Sequence, residues 1–220
     1  MAKRPATHPP RIDPIRLIDL QDADADAPST HGSYEGLRFA VIDLSGRDLR
    51  GASFSECALS EITAEELNIR SAEFADAAIE RLDTPILTAP RSRWRDVTIE
   101  HSRIGSAELY EAGWNSMHIS DCKLGYLNLR GAELTDVLFT NCTIDELDLG
   151  GARVTRLAFA ASSIGTLDTS HATLAHVDLR GAELQSLTGL DNLRGTTMST
   201  TQLAELAHLF AERFGILVED

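Results

Sequence analysis

The sequence predicts an all-β solenoid, a rod of short parallel edges wound around a filled core. Three observations predict it. An apolar residue returns every five positions, a second inward position lies two residues before each of these, and the sizes of both sets repeat every twenty. Repeats on this scale imply stacked units that bury their apolar faces on one another.

Take the five-residue period first. From Phe39 through Phe54, Phe74, Trp94, Trp114, Leu134 and Phe159 to Leu184, thirty consecutive centres keep step without a slip. Twenty-eight are apolar, Thr84 and Thr169 being the exceptions, and none is charged, whereas only 43% of the whole chain is apolar. The positions two before the centres read Ala52, Cys57, Ile62, Leu67, Ala72, Ala77 and Leu82 onward, with Arg47 the one charge in the set. Inward residues are therefore spaced alternately by two and by three. A spacing of two is one step along a strand face, a spacing of three inserts a corner, and an α-helix would need a period near 3.6.

The twenty-residue period sets the cross-section. One ladder runs Leu67, Leu87, Ala107, Leu127, Leu147, Leu167, Leu187 and another Ala52, Ala72, Ser92, Ala112, Ala132, Ala152, Ala172. Four edges per turn make a square. Bulk is traded within it: Ala72 lies beside Phe74 and Ser92 beside Trp94, while Leu82 lies beside Thr84. Close packing demands such trading. Thirty edges give about 7.5 coils of four pentapeptides, a rod roughly 36 Å long at a strand spacing of about 4.8 Å. Leucine-rich repeats lack a sub-period of five, and hexapeptide helices need six.

The chain divides into three parts. Residues 1–33, rich in Pro, Asp and Ala, are expected as a mostly flexible tail, in which Ile15 to Leu20 is a partial cap for the open first coil. Residues 34–190 are the coil. In residues 191–220, Ser199 and Gln202 form a capping box for one amphipathic helix running to Phe214. Leu203, Leu206, Ala207, Phe210 and Phe214 fall on one face, Gly215 stops the helix, and Ile216 to Val218 offers a short strand. The helix caps the last coil and presents Leu203, Leu206, Leu209, Phe210 and Phe214 as a dimer interface.

Composition narrows the function classes. The 220 residues carry 34 acids against 20 bases, a net charge of -14, which repels nucleic acid. No run of about 20 apolar residues spans a membrane, and the start lacks the apolar region of a secretory signal. Three cysteines make no disulfide framework, which fits the cytoplasm. Cys122 and Cys142 share one ladder and are expected as buried thiols. The seven histidines show no metal-ligand spacing, and no P-loop, GxGxxG or GxSxG occurs. A filled core leaves no substrate cavity. The expectation is a protein that is not an enzyme, holds no cofactor or metal, and acts through its surface.

The repeat resembles the pentapeptide-repeat family, whose pattern is A(D/N)Lxx, over about residues 37 to 186. Ala132-Glu133-Leu134, Ala182-Glu183-Leu184 and Asn128-Leu129-Arg130-Gly131 carry the resemblance. It implies a right-handed quadrilateral parallel β-helix, in keeping with the general hand of parallel connections. It also points to the members that mimic DNA, occupy the DNA saddle of DNA gyrase, dimerise through C-terminal helices and confer antibiotic resistance.

That likeness directs attention to the outward columns. Two positions after the Phe/Trp centres come Glu56, Asp76, Asp96, Ser116, Asp136 and Arg156. The acids Glu56, Asp76, Asp96 and Asp136 are the candidate gyrase-binding residues. A second column, Asp48, Asn68, Thr88, Glu108, Asn128, Asp148 and Asp168, suits turns on its own account. Residues 37–186 carry 23 acids and 14 bases, net -9, or one net charge per roughly 4 Å of rod, against one per about 1.7 Å in duplex DNA. Resistance-conferring members often carry projecting loops, and here only Pro85 to Pro90, with its weak centres, leaves room for a bulge. The alternative is an interaction module with another protein partner, for which Arg91, Arg93 and Arg95 with Tyr110 are the candidate patch.

Overall fold

The computed structural model describes residues 7–24 and 28–219. The chain is a parallel β-solenoid in which each strand lies on the strand twenty residues earlier. Ser33 pairs with Ser53, Ser53 with Glu73, Glu73 with Arg93, Arg93 with Gly113, Gly113 with Glu133, Glu133 with Arg153 and Arg153 with Thr173. Shorter offsets appear only at the two ends, where Gln21 pairs with Leu37 and Val177 with Thr196. These outer rungs bring the solenoid to about nine turns, beyond the stretch that the unbroken five-residue register covers.

All thirty centres from Phe39 to Leu184 are buried. The two threonines among them satisfy their hydroxyls locally: Thr84 Oγ1 donates to the Ile86 carbonyl at 2.9 Å, and Thr169 Oγ1 lies 3.0 Å from the carbonyls of Thr188 and Gly189. On one edge the aromatic rings form a column. Tyr34, Phe54, Phe74 and Trp94 stack at centroid distances of 5.1, 5.0 and 4.3 Å. Trp94 Nε1 donates to Ser92 Oγ at 2.7 Å. One coil on, Ala112 stands where Ser92 stood, and the buried Trp114 Nε1 has no partner. An apolar void of about 30 Å³ among Phe54, Phe74, Trp94 and their neighbours holds no more than one water-sized molecule.

Corners are made two residues after a centre, in the left-handed region. Glu56, Asp76, Asp96, Ser116, Asp136 and Arg156 all have φ between 51° and 58°. Asp, Asn and Gly tolerate that conformation, and β-branched residues pay for it. Val41 is the misfit, at φ 56° with 74% of its surface exposed. Val41→Asn is expected to raise the unfolding free energy by about 1 kcal/mol, read as a higher denaturant midpoint with an unchanged slope. No bulge forms at Pro85 to Pro90. The strand Glu73–Thr88 passes through with Thr84 on Ile104 and Ile86 on Ser106, because neither Pro85 nor Pro90 stands where a ladder N–H is required.

The ends differ from the sequence expectation. The capping box is present: Ser199 Oγ accepts from the Gln202 N–H and Gln202 Oε1 from the Ser199 N–H. The single helix is not. Two short helices, Thr200–Glu205 and Ala207–Arg213, meet at Leu206. The break turns Leu206 into the core, leaving it 2% exposed. Gln202 Nε2 donates to the carbonyls of Leu179 and Ala182 at 2.6 and 2.7 Å, so the helix seals open carbonyls of the last coil. Ile216 to Val218 forms no strand.

Residues 7–24 are not a loose tail in this structure, and Ile15 to Leu20 do not close the first coil. They lie along one flank of the rod, running against the direction in which the coil climbs. Thr7 meets Thr197, the His8 ring meets His176, the Arg11 N–H donates to Asp136 Oδ1 at 2.8 Å, and the Gln21 N–H donates to the Gly36 carbonyl at 3.0 Å. The rung on the first coil is Gln21–Asp22. Of the rest of the expected tail, residues 1–6 and 25–27 lie outside the described residues.

Candidate functional site

The four acids of the first column share a corner, one per coil, yet they are unequal. Glu56 is exposed. Asp76 and Asp96 are half-buried and share Arg95, whose guanidinium lies 3.5 Å from Asp76 and 3.9 Å from Asp96. Asp136 is only 7% exposed. Arg156, one coil above, grips it with two bonds of 2.5 and 2.7 Å, and the Arg11 N–H adds a third. Arg156 holds the Asp136 carboxyl below the usual carboxylate range, against the opposing effect of burial and with help from the Arg11 N–H. Asp136 is thus a structural ion pair beneath the N-terminal segment and no longer an outward charge. The open part of the column is Glu56, Asp76 and Asp96.

The second column closes turns. Asp48, Asn128, Asp148 and Asp168 each accept through Oδ1 from the backbone N–H two residues on, at 2.8 to 3.1 Å. Short acids and amides at that place stabilise the corner itself. Several are also paired, Arg130 bonding Asp148 at 2.9 Å and Asn128 bonding Glu108 at 2.6 Å. The arginine patch is likewise tied up in part, Arg91 pairing with Glu111 at 2.7 Å and Arg95 with the two aspartates.

Of the five expected interface residues, Leu203 and Phe214 are exposed, at 53% and 71%. Leu206 does not belong with them, being buried in its own chain, and Leu209 and Phe210 are half-buried against the coil. Ile216, Leu217 and Val218 extend the exposed apolar surface instead. Cys57, Cys122 and Cys142 are free, buried thiols. The neighbouring Cys142 and burial push the Cys122 thiol up, which makes it a poor nucleophile. Among the described residues no cluster of His, Cys, Asp or Glu could hold a metal ion, and no helix is long and apolar enough to cross a membrane.

Residues 119–156 match the family described as Pentapeptide repeats, in 8 copies. The same five-residue step and twenty-residue stacking continue on both sides of the matched segment. That segment is built of pentapeptide repeats. Among solved structures, the chain is similar to HetL, a pentapeptide repeat protein involved in heterocyst differentiation regulation from the cyanobacterium Nostoc sp. strain PCC 7120. That match has 19% identity and a TM-score of 0.40, covering 79% of this chain and 92% of HetL. It is also similar to full-length QnrB1, a plasmid-mediated fluoroquinolone resistance protein, at 19% identity and a TM-score of 0.29, covering 89% of this chain and 95% of QnrB1. A trypsin-treated QnrB1 variant matches at 18% identity and a TM-score of 0.29, covering 90% and 96% of the two chains. No protein of curated function matches the chain.

One feature of the coil escaped the sequence reading. The outward positions just before the centres on the strapped flank are Ala58, Ala78, Thr98, His118, Leu138 and Ala158. Six successive places facing outward carry no Asp, Glu, Lys or Arg, which was a legible signal that something covers them.

Proposed function

We propose that the protein is not an enzyme and acts as an anionic rod that binds a basic protein groove of the kind that normally holds duplex DNA, DNA gyrase being the first such partner. The single observation that carries this reading is a net charge of -14 on a rod whose core is filled along its length. A solid-cored rod has only its surface to offer, and like charge over a DNA-like length is complementary to a basic saddle. Glu56, Asp76 and Asp96 form the contact column. Leu203 and Phe214, joined by Ile216 to Val218, pair two copies end to end and double the rod. The working compartment is the cytoplasm, where gyrase acts on DNA.

The test is ATP-dependent supercoiling by gyrase, titrated with this protein at low and high salt, with the mass in solution followed by light scattering. Inhibition at low micromolar protein, relieved by salt and weakened at least tenfold by Asp76→Arg with Asp96→Arg, is the expected result, with a mass twice the 23.9 kDa of one chain. No inhibition up to about 50 μM, a weak-binding range, would remove gyrase. A monomer mass would remove the end-to-end pair.

A second reading has its own observation. Arg95 and Arg156 interrupt the acid column, so a partner could meet alternating charges instead of a continuous negative edge. An interaction module for a different protein then follows, with Arg91, Arg93, Arg95 and Tyr110 in the contact, and binding largely insensitive to salt.

A further inference from the structure

Two thiols that take no part in the surface reading stand one above the other. Cys122 and Cys142 are twenty residues apart on one inward ladder, immediately before strands that pair Lys123 with Thr143. The Thr143 N–H donates to the Cys122 carbonyl at 3.0 Å, so the two cysteines occupy adjoining rungs. At a strand spacing of about 4.8 Å their Cα atoms fall inside the range of roughly 4.4–6.8 Å that a disulfide bridges. The ladder here reads Ser102, Cys122, Cys142, Ser162, and its side chains reach back to the coil before them. Ser102 Oγ accepts the Leu82 N–H at 3.0 Å, Cys122 Sγ the Ser102 N–H at 3.4 Å and Ser162 Oγ the Cys142 N–H at 3.1 Å. Cys142 reaches back to the Cys122 N–H in the same way, which brings its sulfur to the other thiol.

The two sulfurs are unequal. Beside Cys142 the surface opens into a groove of about 520 Å³, lined by Cys142, Ser162, Ala161, Gly181, Arg180 and Glu183 among others, and Cys122 does not line it. The corner that carries His101, Asp121 and Asn141 on the preceding coils carries only Ala161 and Gly181 here, so no long side chain covers the groove from that side. The neighbouring Cys122 thiol holds Cys142 below its ordinary value, against burial and with help from the Cys122 N–H, whereas Cys122 itself is pushed up. The thiolate is the reactive form, so the thiol beside the groove is also the better nucleophile. Cys57 is a built-in comparison. It is buried as deeply, but Leu37 and Ala77 stand one coil away on its ladder and no thiol does.

We propose that Cys142 and Cys122 are a reversible, peroxide-responsive thiol pair, in which Cys142 is attacked from the groove and Cys122 resolves it. In the first step the Cys142 thiolate attacks one oxygen of hydrogen peroxide. The S–O bond forms, the O–O bond breaks, and the departing hydroxide takes up a proton as water, leaving a sulfenic acid. In the second step the Cys122 sulfur attacks the Cys142 sulfur. The S–S bond forms, the S–O bond breaks, and the hydroxyl leaves as water with the Cys122 proton. Two thiols thus supply the two electrons that reduce one peroxide to two waters. Hydrogen peroxide is small and neutral, so Arg180 and Glu183 in the groove do not repel it. Two molecules of glutathione reverse the bond by thiol–disulfide exchange and leave as glutathione disulfide. A transient bond of this kind suits a reducing compartment. The proposal rests neither on gyrase nor on the acid column.

The test uses the full-length chain, reduced and then exposed to hydrogen peroxide at neutral pH. Mass spectrometry should find the tryptic peptides that carry Cys122 and Cys142 joined, and reduced glutathione should separate them. Cys57, labelled with a maleimide after unfolding, should remain a free thiol. In Cys122→Ser the sulfenic acid at Cys142 has no resolving thiol and should be trapped by dimedone. Cys142→Ser should slow the loss of the Cys122 thiol at least about tenfold, because the better nucleophile is gone. Serine already fills this ladder at Ser102 and Ser162, so both variants should keep the coil, which circular dichroism checks. The proposal is overturned if peroxide joins no Cys122 to Cys142. It is also overturned if Cys57 is consumed as fast as Cys142, since oxidation then follows unfolding. Loss of the Cys122 thiol at an unchanged rate in Cys142→Ser would overturn the order of attack and with it the proposal.

Discussion

Phe74→Ala is expected to lower the unfolding free energy by about 3–5 kcal/mol, the range for truncating a buried aromatic residue. Phe74 is 4% exposed and lies between Phe54 and Trp94, at ring distances of 5.0 and 4.3 Å. Its loss removes two stacking contacts as well as buried area. It also enlarges a core that already holds a void among the same residues, so collapse around the gap is resisted by the strands stacked on either side. For a chain of this length the loss corresponds to a melting temperature lower by roughly 6–20 °C. Circular dichroism during denaturant and thermal unfolding reads it. The neighbouring coils bear the cost too, since each repeat is stabilised by its neighbours. A change under 1 kcal/mol would mean that the aromatic column is dispensable and that aliphatic packing alone holds this edge.

Arg156→Ala carries the second large effect, about 3 kcal/mol of destabilisation at neutral pH. Asp136 and Arg156 have side-chain exposures of only 10% and 20%, and removing one partner leaves the other charge buried and uncompensated. The pH dependence has a definite sign. In the native protein Arg156 depresses the Asp136 carboxyl, so its stabilisation is full above the usual aspartate value of about 4 and is lost as pH falls through the lower native value. In Arg156→Ala the carboxyl keeps its burial without its partner, and its native value rises. The deficit of the variant is therefore largest near neutrality and shrinks as pH falls, first through the raised value of the variant and then through the lowered value of the wild type, below which both proteins hold a protonated Asp136. Replacing both residues by leucine should recover most of the loss, because a matched apolar pair has no desolvation to offset. Denaturant unfolding of the two variants between neutral and acid pH checks each step. A deficit that stays constant with pH would assign the effect to lost packing of the arginine stem.

Much of the fold was legible because a solenoid writes its geometry at short range. The five-residue step of Phe54, Leu59, Ala64 and Ile69 fixed which side chains point inward, and the ladder from Ala52 to Ala172 fixed four edges per turn. Both follow from strand alternation and from close packing, which act on neighbours in sequence and on neighbours one coil away. The turn-closing role of Asp48, Asn128 and Asp168 was equally local, since each side chain bonds its own backbone two residues on. The capping box at Ser199 and Gln202 is local as well.

What the sequence could not settle depends on residues far apart in the chain. Asp136 reads as one more acid in a column until Arg156 and Arg11 are placed on it, and Arg11 comes from a segment 125 positions away. Leu206 reads as one of an exposed helical stripe until the helix breaks to bury it over the last coil. The N-terminal segment keeps a five-residue step in Pro10, Ile15 and Leu20, but its position is set by complementarity to a flank that exists only once the coil has formed. Periodicity determined the rod, because each rung repeats the same local choice. Tertiary structure decided which of its surfaces stay open, because burial and charge pairing depend on partners that no spacing announces.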